Sequence, residues 1–264
     1  MYNIWCYWSQ GENNLPELPR ICLNNWKNIL SKKIFKINLI SKKKFLDLQN
    51  ELDNDFLNNF TYQQQSDMVR LYLLYRYGGI WIDITTILQK DLSWVIDKFE
   101  NGYEQVGFYV NYPFLKKTHY LLENWFIAVK NPYNKIILLW KNTFINILKE
   151  SLNTGKINKS KIWLNTNKES IPFFLHEYLS MHVANLWCVQ NNQEYNKYYN
   201  SSIFLYNANK TALINPSLDI KSVLFGIGYN INFPLIKFTS FDTKYFKYWP
   251  SNKLRNIIKQ NNYN

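Results

Sequence analysis

The stretch Ser66-Asp67-Met68-Val69-Arg70, a leucine-rich run, and then Gly78-Gly79-Ile80-Trp81-Ile82-Asp83-Ile84-Thr85-Thr86 decides how this chain reads. Met68, Leu71, Leu74 and Tyr75 recur at helical spacing, which predicts a helix from about Ser66 to Tyr77, stopped by the Gly78-Gly79 pair. Ile80, Trp81, Ile82, Ile84, Ile87 and Leu88 then form a nearly continuous apolar run, the pattern of a central parallel strand covered on both faces. Asp83 interrupts it. A carboxylate in such a run loses several kcal/mol of hydration unless something charged or hydrogen-bonding compensates it. Two compensations fit: a divalent cation, with Mg2+ or Mn2+ held by one or two carboxylates and substrate phosphates, or a structural pairing with a turn or a buried arginine.

Asp67 and Arg70 lie three apart at the start of the predicted helix and share a face with Leu71 and Leu74, which sets both charges at the border of the core. A helix start also favours anions through its dipole and free N–H groups. Taken alone the two read as a local ion pair. Beside Asp83 they make a polar constellation that converges on one edge of a sheet.

Outward from this block, Tyr2 to Trp8 alternates as a strand and Pro16 and Pro19 open a helix through about Leu30. Lys33 to Ile40 repeats the strand pattern, with Phe35, Ile37 and Leu39 on one face. Tyr103 to Val110 reads as another strand, Tyr120 to Lys149 as two helices broken near Pro132, and Ile171 to Trp187 as a further helix. A strand at Leu235 to Phe238 and a helix near Asn252 to Lys259 close the pattern. Strands alternating with helices predict an α/β fold, a mostly parallel sheet with helices on both faces, whose ligands sit outside the carboxyl ends of the strands. That rule points to Asp83.

The chain has 264 residues, 47% hydrophobic and 19% charged, too apolar for disorder and without a linker that would divide it, so one domain over 1–264 is expected. Its apolar runs fall short of the roughly 20 residues of a membrane span. Its start lacks a secretory pattern, so a cytosolic location is expected. Cys6, Cys22 and Cys188 form neither a disulfide set nor a zinc motif and read as reduced. The formal charge of +12 suits an anionic partner: nucleic acid, an anionic membrane touched peripherally, or a diphosphate-bearing substrate. Aromatic residues reach 18%, and aromatic faces stack on sugars and bases alike. A/T-rich codons explain most of this excess, but not the 10 tryptophans, which are expected mainly in the core with a minority lining a pocket.

The block from Ser66-Asp67-x-x-Arg70 to Gly78-Gly79-Ile80-Trp81-Ile82-Asp83 resembles the glycosyltransferase family of capsular polysaccharide synthesis proteins, itself similar to the DXD sugar transferases. The first strand "IWCYWSQG", the segment "NWFIAVKNPYNKII" and the late "PLIKFTSFD" resemble it too. The resemblance implies a GT-A-like fold with a nucleotide-sugar-binding part over about 1–110 and a helical, acceptor-side part over about 111–264. It implies a UDP-sugar donor, a glycan or lipid-linked glycan acceptor, and a divalent cation, Mn2+ or Mg2+. By position, Trp8 stacks on the base, Asp67 and Arg70 contact the donor sugar, and Asp83 serves the ribose and metal region. Gln10 and Gly79 fall in the donor site, and Lys237 is a diphosphate contact. Thr85 departs from the DXD relatives, standing where they carry a second metal-binding aspartate, with Asp242 as a weak replacement ligand. The implied activity is hexosyl transfer with retention, in synthesis of a polysaccharide or surface glycan.

Thr85 also motivates an alternative, a carbohydrate-binding protein of the same fold that has lost catalysis. A specific nucleic-acid binder has no stacking motif to support it. His176-Glu177 with His182 lacks the spacing of four of a zinc helix, and Gly226-Ile227-Gly228 lacks the third glycine of a dinucleotide loop.

Overall fold

The computed structural model describes residues 1–110, 120–168, 178–212 and 233–238. The chain opens with β1 (Tyr2–Tyr7), α1 (Glu17–Ile29) and β2 (Phe35–Ile40), the expected β-α-β unit. Short helices α2 (Lys42–Leu48) and α3 (Asn54–Asn58) lead to α4 (Tyr62–Tyr77), then β3 (Gly79–Ile82) and β4 (Thr86–Leu88). There follow α5 (Ser93–Glu100), β5 (Gln105–Val110), β6 (Leu121–Val129), α6 (Lys135–Thr154) and α7 (Lys161–Asn165). Last come α8 (Ser180–Asn191), α9 (Gln193–Ser201), β7 (Ile203–Asn207) and β8 (Leu235–Lys237).

Six strands form one sheet in the order β2-β1-β3-β6-β5-β7. The β1–β2, β1–β3 and β5–β7 pairs are parallel, and β6 alone runs against its neighbours β3 and β5. The expected mostly parallel α/β sheet is therefore present. Alternation along β1 and β3 sends Trp5, Tyr7 and Trp81 into the core under α4, α6 and α8, and Ile4, Cys6, Ile80 and Ile82 into a second core under α1 and α5. Both faces are covered, which is why these strands read as unbroken apolar runs.

Three expectations change. The helix carrying Asp67 begins four residues early, because Thr61 and Gln64 form a reciprocal capping box that satisfies the first free N–H groups. Asp67 thus lies in the second turn, away from the dipole's positive end. The apolar run from Ile80 to Leu88 divides into two strands on two sheets: β4 leaves the main sheet and pairs antiparallel with β8, in register Thr86↔Lys237. The segment from Tyr120 is not a helix but β6, since a short apolar run fits either period and here fills the gap between β3 and β5. Only the part after Pro132 is helical, as α6. The helix expected from Ile171 begins, within the described residues, at Ser180 and runs to Asn191, while the terminal helix near Asn252 lies outside them.

The free edge of β4 is closed by side chains of α1. Asn25 Nδ2 donates to the Leu88 carbonyl at 3.0 Å, the Leu88 N–H donates to Asn25 Oδ1 at 2.8 Å, and Trp26 Nε1 donates to the Thr86 carbonyl at 2.7 Å. Asn25→Ala strands two buried backbone groups of Leu88, and urea unfolding is expected to show a loss of about 2–4 kcal/mol. A loss below about 1 kcal/mol would show that water replaces the clamp.

Candidate functional site

In a parallel sheet the chain can leave β1 toward β2 on one side and toward β3 on the other, and a crevice opens outside the carboxyl ends where the two directions part. Here that crevice is a cavity of about 510 Å³, within the size range of small-ligand sites. Tyr7, Trp8, Ser9 and Gln10 line it from the end of β1, and Asp83, Ile84 and Thr85 from the end of β3. Asp67 and Arg70 line it from α4, with Tyr62 and Tyr178 at its rim.

Asp83 sits where the backbone passes from one sheet to the other. Its N–H still donates to the Trp125 carbonyl of β6 at 2.8 Å, while two residues on, the Thr85 carbonyl already accepts from Phe238 N–H at 2.9 Å. Both oxygens of the carboxylate are engaged, Oδ1 by two donors and Oδ2 by one. Oδ1 accepts from Arg70 Nη2 at 2.9 Å and Trp81 Nε1 at 3.0 Å, and Oδ2 from Lys237 Nζ at 3.1 Å. Lys237 Nζ also donates to Thr85 Oγ1 at 2.7 Å, and that hydroxyl passes its own proton to the Phe238 carbonyl at 3.2 Å. Burial pushes the Asp83 carboxyl up, but Lys237 and then Arg70 outweigh it and hold the group below the usual carboxylate range. It is an anion.

Arg70 is the hinge of the arrangement. Its guanidinium bridges Asp67 and Asp83 and lies 4.7 Å from the centre of the Trp81 ring. Both Asp67 and Arg70 are deeply buried, with side chains 1% and 3% exposed, rather than at the border of the core. Asn124 Nδ2 donates to Asp67 Oδ1 at 3.0 Å, whereas Asp67 Oδ2 is buried with no hydrogen-bond partner among the described residues. Burial therefore pushes the Asp67 carboxyl up to about 7, against the pull of Arg70. Glu123, on β6, also rises to about 7 through burial, with Lys237 opposing and Asp83 reinforcing the shift.

The structure brings Trp8, Gln10, Asp67, Arg70, Asp83 and Thr85 to one cavity and bonds Lys237 to two of its lining side chains, Asp83 and Thr85. Gly79 does not join them. It opens β3 at the opposite end of the strand, with φ 91°, and a Cβ there would lie 2.5 Å from the Asn3 carbonyl, so its task is close backbone packing. Asp242 lies outside the described residues, as do His176 and Glu177. His182 is buried in α8, and burial followed by Arg70 pushes its imidazole down to about 3. As a metal site the described residues fit poorly: no group of three His, Cys, Asp or Glu converges among them, and the Asp83 oxygens already serve two cations.

Several lining residues escaped the sequence reading. The Thr61-x-x-Gln64 cap would have extended α4 and so flagged Tyr62 and Gln63. Asn124 had no such signal. Gly107 pairs with Ile127 and Tyr109 with Leu122, so one residue of β5 faces four of β6, at 123–126. This bulge reverses the alternation and turns Asn124 toward Asp67.

A covered, mostly parallel sheet with a charged cavity at its switch point defines an α/β protein. The sequence profile described as capsular polysaccharide synthesis protein matches residues 1–222, and the chain belongs to that family. It is 28% identical over 173 residues to O-glycosyltransferase braB of Annulohypoxylon truncatum, covering 60% of this chain and 40% of that protein. It is 30% identical over 126 residues to glycosyltransferase afumC of Aspergillus fumigatus, covering 41% and 32%. The chain thus spans about two fifths or less of the curated relatives it matches. Among solved structures, PaToxG glycosyltransferase aligns over 79% of this chain and 82% of its own, at 18% identity and a TM-score of 0.40.

Arg70→Met leaves two carboxylates facing one lost cation and is expected to cost about 3–5 kcal/mol in urea unfolding. Asp67→Asn is expected to be far milder near neutrality. The folded Asp67 pKa of about 7 exceeds the unfolded value of about 3.9, so its stabilisation is full below the unfolded value and fades as pH rises through the folded one. The variant's stability should fall less than the wild type's between these values, and parallel curves would refute the shift. Asp83 runs the other way, but its window lies below the ordinary carboxylate range and does not overlap.

Proposed function

We propose that this chain is a glycosyltransferase that moves a hexose from a UDP-sugar to a glycan or lipid-linked glycan acceptor, with retention, in synthesis of a polysaccharide or surface glycan. One observation carries the reading: an anionic Asp83 at the end of a central strand, held between Arg70 and Lys237 beside a cavity of about 510 Å³ with Trp8 in its wall. The glycosyltransferase names of the relatives support the reaction class.

The groups suit a donor made of a flat base, a diphosphate and a polyol. Trp8 is half-buried, with its indole N–H fixed on the Asn14 carbonyl at 3.2 Å, so its ring is pre-set as a stacking surface. Asp83 accepts sugar or ribose hydroxyls, and Asp67 and Asn124 hold Arg70 in place beneath it. The step itself asks for positioning and for charge stabilisation on the departing diphosphate. The acceptor oxygen bonds to the anomeric carbon on the face the leaving group departs from. The carbon–oxygen bond to the diphosphate breaks, its electron pair stays on the diphosphate, and a diphosphate oxygen takes the acceptor's proton. We assign Lys237, bonded to Asp83 and Thr85, to receive that charge. No separate side-chain base is needed for this route.

Purified protein incubated with UDP-glucose, UDP-galactose and their N-acetyl forms should release UDP, and Asp83→Asn should lower the rate about 100-fold or more at a temperature where its melting profile shows the variant still folded. Silence with every donor, with and without Mn2+, would count against the transferase and favour a glycan-binding role. A second outcome follows from charge. Asp67 and Glu123 carry protons below about 7 and lose them above it, so negative charge accumulates beside the diphosphate as pH rises. Affinity for UDP-glucose, whose diphosphate diester does not titrate in this range, should fall about 3- to 10-fold from pH 6 to 8.5. Glu123→Gln should flatten that profile in calorimetry.

A further inference from the structure

We propose that the Lys237 ammonium takes the position of a divalent cation beside the donor diphosphate, so that the UDP-sugar binds here without a metal; this inference rests on the donor reading given above. The ammonium lies 3.1 Å from Asp83 Oδ2 and 2.7 Å from Thr85 Oγ1, between the two side chains that stand at the first and second positions of an Asp-x-Asp pair. A cation already fills that gap.

The remaining capacity of those side chains argues the same way. Asp83 Oδ1 is taken by Arg70 and Trp81, and the Thr85 proton is committed to the Phe238 carbonyl. Mg2+ and Mn2+ ask for several hard oxygen ligands in near-octahedral array. The described residues supply one carboxylate here, already neutralised, and a hydroxyl that accepts from Lys237. Charge balance also closes. Two aspartates with a dication sum to zero, and so do one aspartate, one threonine and one ammonium. Replacing the second carboxylate by Thr85 removes the charge that a second positive unit would be needed to offset.

Lys237 is placed to do this reliably. It belongs to β8, opposite Thr86, and its own N–H donates to the Ala212 carbonyl at 2.9 Å, so a strand rather than a loose loop delivers it. Its side chain is only 11% exposed, which restricts its freedom and weakens screening by water. An ammonium has three N–H donors, and Asp83 and Thr85 use two. The third is the one a diphosphate oxygen would accept, as a point charge on phosphate.

Calorimetry of UDP binding to EDTA-treated protein, repeated with added Mn2+, tests the inference alongside a nucleotide-free Mn2+ titration followed by electron paramagnetic resonance. Affinities should agree within about twofold in the two conditions, and the free Mn2+ spectrum should be undiminished by the protein. Lys237→Met should weaken UDP binding by about 10- to 100-fold in EDTA, with no rescue by Mn2+. A melting profile checks that the variant folds; if it does not, the wild-type comparison and the resonance titration decide. UDP binding that occurs only with Mn2+, or Mn2+ captured by the wild-type protein, overturns the inference while leaving the donor site standing. Absence of UDP and UDP-sugar binding in both conditions overturns the donor reading, and this inference with it.

Discussion

The Asp83 carboxylate receives hydrogen bonds from Arg70, Lys237 and Trp81, side chains delivered by a helix, a distant short strand and the strand Asp83 itself terminates. A buried or half-buried carboxylate is tolerated only when such donors are in place before it is. The site is therefore a folding constraint as much as a ligand surface. Helix α4 must dock with Arg70 facing the sheet, and β8 must reach β4 although 151 positions separate the partners Thr86 and Lys237 in sequence. Asp67, itself held by Asn124 Nδ2, completes the shell on the other side of the guanidinium. Most of these groups are satisfied by one another, with Asp67 Oδ2 and Arg70 Nε left without a hydrogen-bond partner among the described residues.

That interdependence explains which parts of the molecule were legible in the sequence. Local signals sufficed for β1, α1 and β2, for the Gly78-Gly79 stop, and for Asp83 at a strand end, because periodicity, proline and glycine act over a few residues. They failed where the deciding partner is remote. Leu121–Val129 is a strand because β3 and β5 need an antiparallel filler between them, and nothing inside the segment states that need. The split between β3 and β4 likewise depends on β8, which offers Thr86 to Leu88 a second sheet to join. Asn124 reaches Asp67 only through a bulge, a feature of register between two strands rather than of either one. The constellation of Asp67, Arg70 and Asp83 was visible as a pattern; its depth was not, since a charge flanked by leucines reads the same at a border as in the interior.

The tryptophans show the same division. Trp5, Trp26 and Trp140 are core residues, and each indole N–H nonetheless donates to a backbone carbonyl at a point where regular pairing ends, on Gly78, Thr86 and Met181. An indole covers a large apolar area and still closes one hydrogen bond, which suits seams between elements better than phenylalanine does. Trp81 and Trp8 apply the same property at the cavity, one fixing Asp83 and the other fixed by Asn14. Tryptophan is thus used here for its two chemical ends at once.

The balance of charge around Asp83 bears on how an anionic ligand enters. Below about 7, where burial keeps Asp67 and Glu123 protonated, Arg70 and Lys237 exceed the single negative charge of Asp83 by one positive unit, and deprotonation of the two acids above it removes that excess. An incoming diphosphate need not break the Asp83 pairs, because a lysine can add a third acceptor while keeping two. The cost of rearrangement is then small, since the strand-borne ammonium already stands where the new negative charge arrives. Under the proposed donor reading, such a site gains affinity from charges that folding already holds in place, and the pairs that stabilise the chain also favour an anionic ligand.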